Sequence, residues 1–169
     1  MKIIKYILHY VYVILKLSNN YVVYERYRKK YNISPTFRFN GNGIILSGDG
    51  DITIGENTYI GEYSSIQSVE GCSVLIGRDC AISHNVRLYT SNYDTNEIIF
   101  ENMKNKTKNG NVIIGDNCWI GVNVLITEGV TIGSNVVIGG NSVVTKNIPS
   151  NCVIGGVPAR IIKINDNKE

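Results

Sequence analysis

The sequence predicts an all-β protein whose strands wind into a parallel β-helix. From Ile44 onward an aliphatic residue recurs every six positions, and it is most often followed by glycine. Alanine, leucine and glutamine, which favour helices, are scarce after the first thirty residues. A strand and turn of six residues cannot bury its apolar face alone. Three such units are therefore expected to close a triangular coil of about eighteen residues that stacks on its neighbours.

The register of the repeat identifies two sets of inward positions. The aliphatic set is Ile54, Ile60, Ile66, Ile76, Ile82, Leu88, Ile114, Ile120, Ile126, Ile132, Ile138, Val144 and Ile154. Four residues later stands a small or β-branched residue: Thr58, Ser64, Cys80, Val86, Cys118, Val124, Val130, Val136 and Ser142. Both sets are predicted to fill the interior of the coils.

The corners of the coils are predicted at the residue that stands three positions after each aliphatic. These residues are Asn57, Asp79, Asn85, Asn117, Asn123, Gly129, Asn135, Asn141 and Asn147. Glycine, asparagine and aspartate adopt positive φ at low energetic cost, which a tight corner requires.

The repeat divides the chain into three parts. We predict an N-terminal helical and basic segment over residues 1–43, the β-helix over 44–163, and a C-terminal tail over 164–169. Residues 93–111 have no repeat register and are predicted to form a protruding loop. A loop of that length inside a repeat domain is usually functional.

The N-terminal segment is basic and rich in tyrosine. Eight of the seventeen Lys and Arg residues lie in the first 38 positions, against one acidic residue, Glu25. One or two helices are expected up to about Asn32. They are expected to pack on the end or side of the β-helix or to form a peripheral contact with an anionic membrane through residues 1–31, and the two are compatible. The charge lies on a short flank with no groove-reading motif, so nucleic acid is not expected as a partner.

The four cysteines show no CxxC pair and no metal-ligand spacing, and no metal is expected. Without a cleavable signal sequence they indicate reduced thiols in a cytoplasmic protein. Cys80 and Cys118 occupy inward positions and are interpreted as small buried hydrophobes. A zinc-dependent carbonic anhydrase on the same fold needs three histidines, and the chain has two.

The segment from Asn111 to Lys163 contains GDNCWIG, VVTKNIP and GGVPARII in that order. It resembles the hexapeptide-repeat acetyltransferase family, in particular the maltose/galactoside and polysaccharide O-acetyltransferases. The resemblance implies a left-handed parallel β-helix, a homotrimer, and acetyl-CoA bound between neighbouring prisms.

The resemblance also implies a set of donor-binding residues. Trp119 matches the tryptophan beside the active site, where it is expected to contact both donor and acceptor. The positions along the pantetheine arm and near the nucleotide end of coenzyme A are Gly121, Gly139, Gly140, Thr145, Lys146, Arg160 and Lys163. Alternatively, the three glycines are present because the turns require glycine, and Lys163 is an ordinary solvent-exposed charge.

His84 is the candidate catalytic residue, because acyl transfer to a hydroxyl needs a general base and histidine is the natural one. Its segment ISHNV resembles the IAHDC segment of the lipid A acyltransferases. The catalytic histidine of the galactoside-type enzymes instead aligns near Tyr93, where this chain has none. Asn85, Tyr93 and Asp94 are expected to bind the acceptor, and Tyr93 or Asp94 is the alternative base.

These features predict an acetyl-CoA-dependent O-acetyltransferase that acts on a sugar hydroxyl of a cell-surface polysaccharide or its precursor. Its expected location is the cytoplasm, at the inner face of the membrane. The alternatives are an N-acetyltransferase of an amino-sugar nucleotide and a catalytically inactive β-helix scaffold subunit.

Overall fold

The computed structural model describes residues 2–101 and 106–165. Residues 102–105 of the predicted loop and 166–169 of the predicted tail lie outside this description. The fold is a left-handed parallel β-helix of about five turns preceded by a helix.

Three sheets, here called A, B and C, form the faces of the prism. Sheet A consists of β1 (Asn32–Ile33), β4 (Asp51–Ile54), β7 (Ser73–Ile76), β12 (Val112–Ile114) and β15 (Thr131–Ile132). Sheet B consists of β2 (Arg38–Asn40), β5 (Tyr59–Gly61), β8 (Ala81–Ile82), β13 (Trp119–Ile120), β16 (Val137–Ile138), β18 (Cys152–Gly156) and β19 (Ala159–Ile164). Sheet C consists of β3 (Ile45–Ser47), β6 (Ser65–Gln67), β9 (Arg87–Tyr89), β14 (Leu125–Ile126) and β17 (Val143–Val144). All neighbours within these sheets pair in parallel except β18 and β19, which pair antiparallel.

The interior is filled as the repeat predicts. Every aliphatic position from Ile54 to Ile154 is 0–2% exposed, and the nine small or β-branched positions are buried as well. Burial of each isoleucine side chain stabilises the fold by roughly 1.5–3 kcal/mol. The stacked aliphatics are therefore the main favourable term in the stability of the prism.

The corners also follow the prediction, with two exceptions. Positive φ occurs at all the predicted corner residues except Asn147, and the last such corner is Asn151 (φ 62°). The prediction for Asn147 is wrong because its Oδ1 accepts a hydrogen bond from the Thr131 N–H (2.8 Å), so its side chain pairs with sheet A. Tyr63 has φ 59° although it is neither asparagine nor glycine.

The β-helix begins before the predicted boundary at residue 44. β1 and β2 already pair in register with β4 and β5, so the first coil starts at Asn32. This coil lacks the Ile-Gly pairs of the later ones and is filled by Phe37 and Leu46, both buried. Its aromatic filling explains why the repeat did not reveal it.

The N-terminal segment forms one helix, α1 (Lys2–Lys30). Its C-terminal part covers the open end of the prism, where Tyr24 stacks on Phe39 with ring centroids 4.2 Å apart. The Arg28 guanidinium donates hydrogen bonds to the carbonyls of Ser34 (3.0 Å) and Phe37 (2.7 Å). The expectation that the segment packs on the end of the domain is confirmed for this half of the helix.

In the described parts of the predicted loop, 93–101 and 106–111, the chain forms regular secondary structure. β10 (Ser91–Tyr93) pairs antiparallel with β11 (Thr107–Asn109), and α2 (Thr95–Glu101) lies between them. An ion pair between Lys106 and Glu97 (2.7 Å) lies within this segment. A second one, between Lys108 and Glu128 (3.8 Å), connects the segment to the prism.

Replacement of Phe37 by alanine tests the role of the first coil. Phe37 is 2% exposed, so Phe37→Ala should lower the free energy of unfolding by about 3–5 kcal/mol through lost burial and a cavity. Phe100 in α2 is 80% exposed, and Phe100→Ala is the matched control with an expected change below about 0.5 kcal/mol. Urea unfolding followed by circular dichroism measures both, and equal effects would contradict the assignment of Phe37 to the core.

Candidate active site

The predicted site residues lie along two different edges of the prism. We call the corners at which the chain passes from sheet B to sheet C the B–C edge, and those from sheet C to sheet A the C–A edge. His84, Asn85, Gly121, Gly139 and Gly140 lie on the B–C edge, because each follows a strand of sheet B and precedes one of sheet C. Tyr93, Asp94, Thr145 and Lys146 follow strands of sheet C and belong to the C–A edge.

His84 is exposed on the B–C edge, directly after the buried Ile82 of β8. The backbone N–H of Glu62, at the same corner of the preceding coil, donates a hydrogen bond to His84 Nδ1 (3.1 Å). The His84 carbonyl accepts a hydrogen bond from the Asn123 N–H (3.1 Å) in the following coil. The ring is therefore held through Nδ1, and Nε2 is left for a ligand.

Asn85 turns its corner as predicted, and its side chain also joins successive coils, which was not expected. It adopts φ 56°, and its Nδ2 donates to Asn123 Oδ1 (2.8 Å), whose own Nδ2 donates to Asn141 Oδ1 (2.9 Å). This ladder joins the coils along the B–C edge, so the Asn85 amide is already engaged.

Trp119 projects from sheet B beside the B–C edge and is 58% exposed. Its partners across the sheet are Ala81 in the preceding coil and Val137 in the following one. Ala81 is small, so little side-chain bulk stands beside Trp119 in the preceding coil. A large exposed aromatic in this position can pack against a ligand lying along the edge.

The three glycines of the edge differ in what they require. A Cβ on Gly121 would lie 2.6 Å from the Gly140 nitrogen, so the stacking of coils alone demands glycine there. A Cβ on Gly139 would meet nothing closer than 3.5 Å, and one on Gly140 nothing closer than 3.2 Å. Neither residue has positive φ, so turn chemistry does not explain this pair. Because Gly139 and Gly140 have no side chains, a ligand outside the prism can approach their backbone closely.

On the C–A edge, Tyr93 and Lys146 are exposed and Asp94 begins the helix α2. Asp94 Oδ1 accepts a hydrogen bond from the Asn96 N–H (3.0 Å), and the Asp94 carbonyl accepts one from the Ile98 N–H (3.2 Å). This is the geometry of a helix N-cap. Asp94 is thereby occupied locally, which weakens it as an alternative base.

Arg160 and Lys163 lie on β19, the antiparallel strand that ends sheet B, and both are exposed. Along β19 and the preceding turn, the apolar side chains of Val157, Ile161, Ile162 and Ile164 are also exposed. Arg160 and Lys163 thus belong to sheet B, whereas Lys146 lies on the C–A edge.

The sequence analysis missed Glu62 and Asn42 at the B–C edge. Glu62 Oε1 accepts hydrogen bonds from Asn42 Nδ2 (3.0 Å) and from the Asn42 N–H (3.3 Å), and Asn20 of α1 donates to Asn42 Oδ1 (2.5 Å). Glu62 lies one coil before His84. The sequence contains this relation, because residues near Gln67–Ser73 interrupt the six-residue repeat and lengthen that coil.

The cysteines offer no nucleophile at either edge. None of the four forms a disulfide, and Cys80, Cys118 and Cys152 are buried. The hydrogen bond with the Cys80 thiol and burial together raise the pKa of Cys118, and burial raises the pKa of Cys152. Among the residues that the structure describes, no group of three or more His, Cys, Asp or Glu side chains is placed to hold a metal ion.

Comparison with known proteins supports the pattern of coils and motifs. The family model described as bacterial transferase hexapeptide (six repeats) matches residues 111–146, and the hexapeptide repeat of succinyl-transferase matches residues 51–89. The chain is 42% identical over 124 residues to the polysialic acid O-acetyltransferase of Escherichia coli O1:K1 / APEC. That match covers 72% of this chain and 39% of the relative, so the chain spans well under half of that protein.

Two further proteins match over most of their length. WbbJ of Escherichia coli (strain K12) is 39% identical over 134 residues, which cover 73% of this chain and 67% of WbbJ. The structure of a mutant of AntD, an N-acyltransferase from Bacillus cereus, in complex with dTDP and coenzyme A superposes with a TM-score of 0.66. That superposition covers 82% of this chain and 80% of AntD at 26% identity. By its repeats, its coils and these relatives, the chain belongs to the hexapeptide-repeat (left-handed β-helix) acetyltransferase family.

Proposed function

We propose that the protein is an acetyl-CoA-dependent O-acetyltransferase that acts on a sugar hydroxyl of a cell-surface polysaccharide or its precursor. The observation that carries the proposal is the B–C edge, where an exposed histidine, an exposed tryptophan and the bare backbone of Gly139 and Gly140 lie on stacked coils. The name of the polysialic acid O-acetyltransferase supports a glycan acceptor, and the AntD complex supports coenzyme A as the carrier of the acyl group.

The reaction is a direct transfer. The acceptor hydroxyl oxygen attacks the thioester carbonyl carbon, the carbon–sulfur bond breaks, and the hydroxyl proton ends on the released thiol of coenzyme A. His84 is the proposed catalytic residue, with Asn85, Tyr93, Asp94 and Trp119 around the acceptor. The proposed donor-binding residues are Trp119, Gly121, Gly139, Gly140, Thr145, Lys146, Arg160 and Lys163.

We also propose a homotrimer, because these residues lie on two edges of one prism. His84 is on the B–C edge and Lys146 on the C–A edge, so they lie on opposite borders of sheet C. A threefold ring would bring the B–C edge of one protomer against the C–A edge of the next. The exposed isoleucines of β19, among them Ile162 at 70%, also need a neighbour to cover them.

AntD supports a second candidate function. Because AntD is an N-acyltransferase whose complex contains dTDP, an amino-sugar nucleotide is an alternative acceptor for this chain. The products separate the two functions: an O-acetyl ester is cleaved by mild alkali and an N-acetyl amide is not. A catalytically inactive scaffold is the third alternative, and acetyl-CoA titration tests it.

The enzyme is further proposed to work in the cytoplasm at the inner face of the membrane, through a peripheral contact of residues 1–31. Within the described residues, no helix combines the length and apolarity needed to cross a bilayer. At 100° per residue, Ile4, Ile7, Val11 and Ile14 share the side of α1 opposite to Tyr27, which packs on the prism. These four side chains are 47–64% exposed.

The charge of α1 matches an anionic lipid surface. No acidic residue precedes Glu25, whereas Lys5 and Lys16 come before it and Arg26 and Lys29 after it. A basic helix with an exposed apolar face inserts into the headgroup region of anionic membranes and lies in the plane of the interface. The prism on the opposite side of α1 would then face the cytoplasm.

Titration with acetyl-CoA by calorimetry, followed by acetyl transfer to sugar acceptors, tests the proposed reaction. We expect saturable binding and a product ester that is cleaved by alkali. His84→Ala should lower the transfer rate by about 10²-fold or more, because it removes the catalytic group. His9→Ala, which replaces the other histidine in the exposed part of α1, is the matched control and should leave the rate unchanged. Near-native turnover in His84→Ala would refute the assignment, and absence of acetyl-CoA binding would favour the scaffold.

Vesicle sedimentation of the full chain tests the membrane contact. The protein should bind vesicles of phosphatidylglycerol and phosphatidylcholine, and Ile7→Glu combined with Ile14→Glu should weaken binding at least about tenfold through lost apolar burial. Ile99→Glu in α2 removes another exposed isoleucine and serves as the matched control with unchanged binding. Undiminished sedimentation of the double variant, or equal binding to pure phosphatidylcholine, would contradict the proposed contact.

A further inference from the structure

The contact between Glu62 and His84 fixes which ring nitrogen carries the proton. A backbone N–H can donate only to a nitrogen with a free lone pair, and here the acceptor is His84 Nδ1 at 3.1 Å. In the neutral imidazole the proton is then on Nε2. Turning the ring over would set a C–H against the Glu62 N–H and lose the hydrogen bond.

Glu62 is itself held at both ends. Its carboxylate accepts the two hydrogen bonds from Asn42, and its carbonyl accepts one from the Asn85 N–H (2.8 Å). Glycine leaves space for the Glu62 side chain, because a Cβ on Gly41 would overlap Glu62 Cγ. At Gly61 the stacking of coils already demands glycine, since a Cβ there would lie 2.7 Å from the Ser83 carbonyl carbon. Glu62 is therefore fixed on both sides of the N–H that His84 accepts.

We propose that His84 acts as a neutral hydrogen-bond donor through Nε2–H rather than as a general base, and that Glu62 and Asn42 are positioning residues that hold it in this form. The inference rests on the proposed acetyl transfer. It differs from the role that the sequence predicts, because a nitrogen that already bears a proton cannot accept one.

In the proposed step His84 keeps its Nε2 proton throughout. Nε2–H donates to the thioester carbonyl oxygen, which gains negative charge as the acceptor oxygen bonds to the carbonyl carbon. The carbon–sulfur bond then breaks, and the hydroxyl proton passes to the coenzyme A sulfur directly or through solvent. The products are the ester and the thiol, and the imidazole ends as it began.

The tautomer is measurable without any activity. Long-range ¹H–¹⁵N spectra at about pH 8, where histidine is ordinarily neutral, distinguish a protonated from an unprotonated ring nitrogen. The chain has two histidines, so His84→Gln assigns the signals. We expect an unprotonated Nδ1 and a protonated Nε2 on His84. A protonated Nδ1 in the native protein would overturn the proposal.

Two substitutions at Glu62 separate the effect of its backbone N–H from the effect of its carboxylate. Proline is favoured directly before a positive-φ turn residue such as Tyr63 (φ 59°), so Glu62→Pro removes the N–H at a position that accepts it. Glu62→Ala removes the carboxylate and keeps the N–H. The Nε2–H form should persist in Glu62→Ala and give way to a mixture of tautomers in Glu62→Pro. An unchanged tautomer in Glu62→Pro would show that the Glu62 N–H does not fix it.

Comparison of two His84 variants tests the donor role. The glutamine side chain in His84→Gln keeps an N–H donor but cannot act as a base, whereas His84→Ala has neither. His84→Gln should retain at least about tenfold more activity than His84→Ala, whereas equal loss in both would overturn the donor role. If the native protein transfers no acetyl group, the proposed function fails, while the spectra still decide the tautomer.

Discussion

The backbone at the corners of the prism is the constraint on which the rest of the structure depends. Each side of a coil has room for a two- to four-residue strand, and the chain turns to the next face mostly at a residue with positive φ. Asparagine meets this need and its side chain also joins successive coils, as in the ladder from Asn85 through Asn123 to Asn141. Because the corners stack, residues one coil apart become neighbours along an edge. Side chains from successive coils are thus placed side by side along each edge of the prism.

The site follows from that geometry. The B–C edge carries His84, held by the corner of the preceding coil, while the C–A edge carries Lys146 and the hairpin that contains α2. His84, the proposed catalytic residue, and Lys146, the proposed cation for the donor phosphates, thus lie on different edges. The proposed ring of three prisms would join the two half-sites, and α1 would hold the ring against an anionic lipid surface.

The sequence predicts the parts of this structure that repeat and misses the parts that do not. The six-residue spacing identifies the buried aliphatic residues from Ile54 to Ile154. It does not identify the first coil, because Phe37 fills the interior there in place of isoleucine. Tyr63 breaks the rule for corner residues, and no local signal reveals its positive φ. The contact between Glu62 and His84 depends on a backbone donor, which the identity of a side chain does not disclose. Asp94 illustrates the converse, since a carboxylate expected at the acceptor also caps α2, which its sequence context does not reveal.

Subunit complementation tests most directly whether the active site spans two protomers. His84→Ala and Lys146→Ala, on different edges, are co-expressed with different tags, and trimers containing both are purified. Every such ring has one interface at which both native residues meet, so acetyl transfer at limiting acetyl-CoA should recover to about a third of the native rate. Activity no higher than that of the single variants would contradict a site shared between neighbouring prisms.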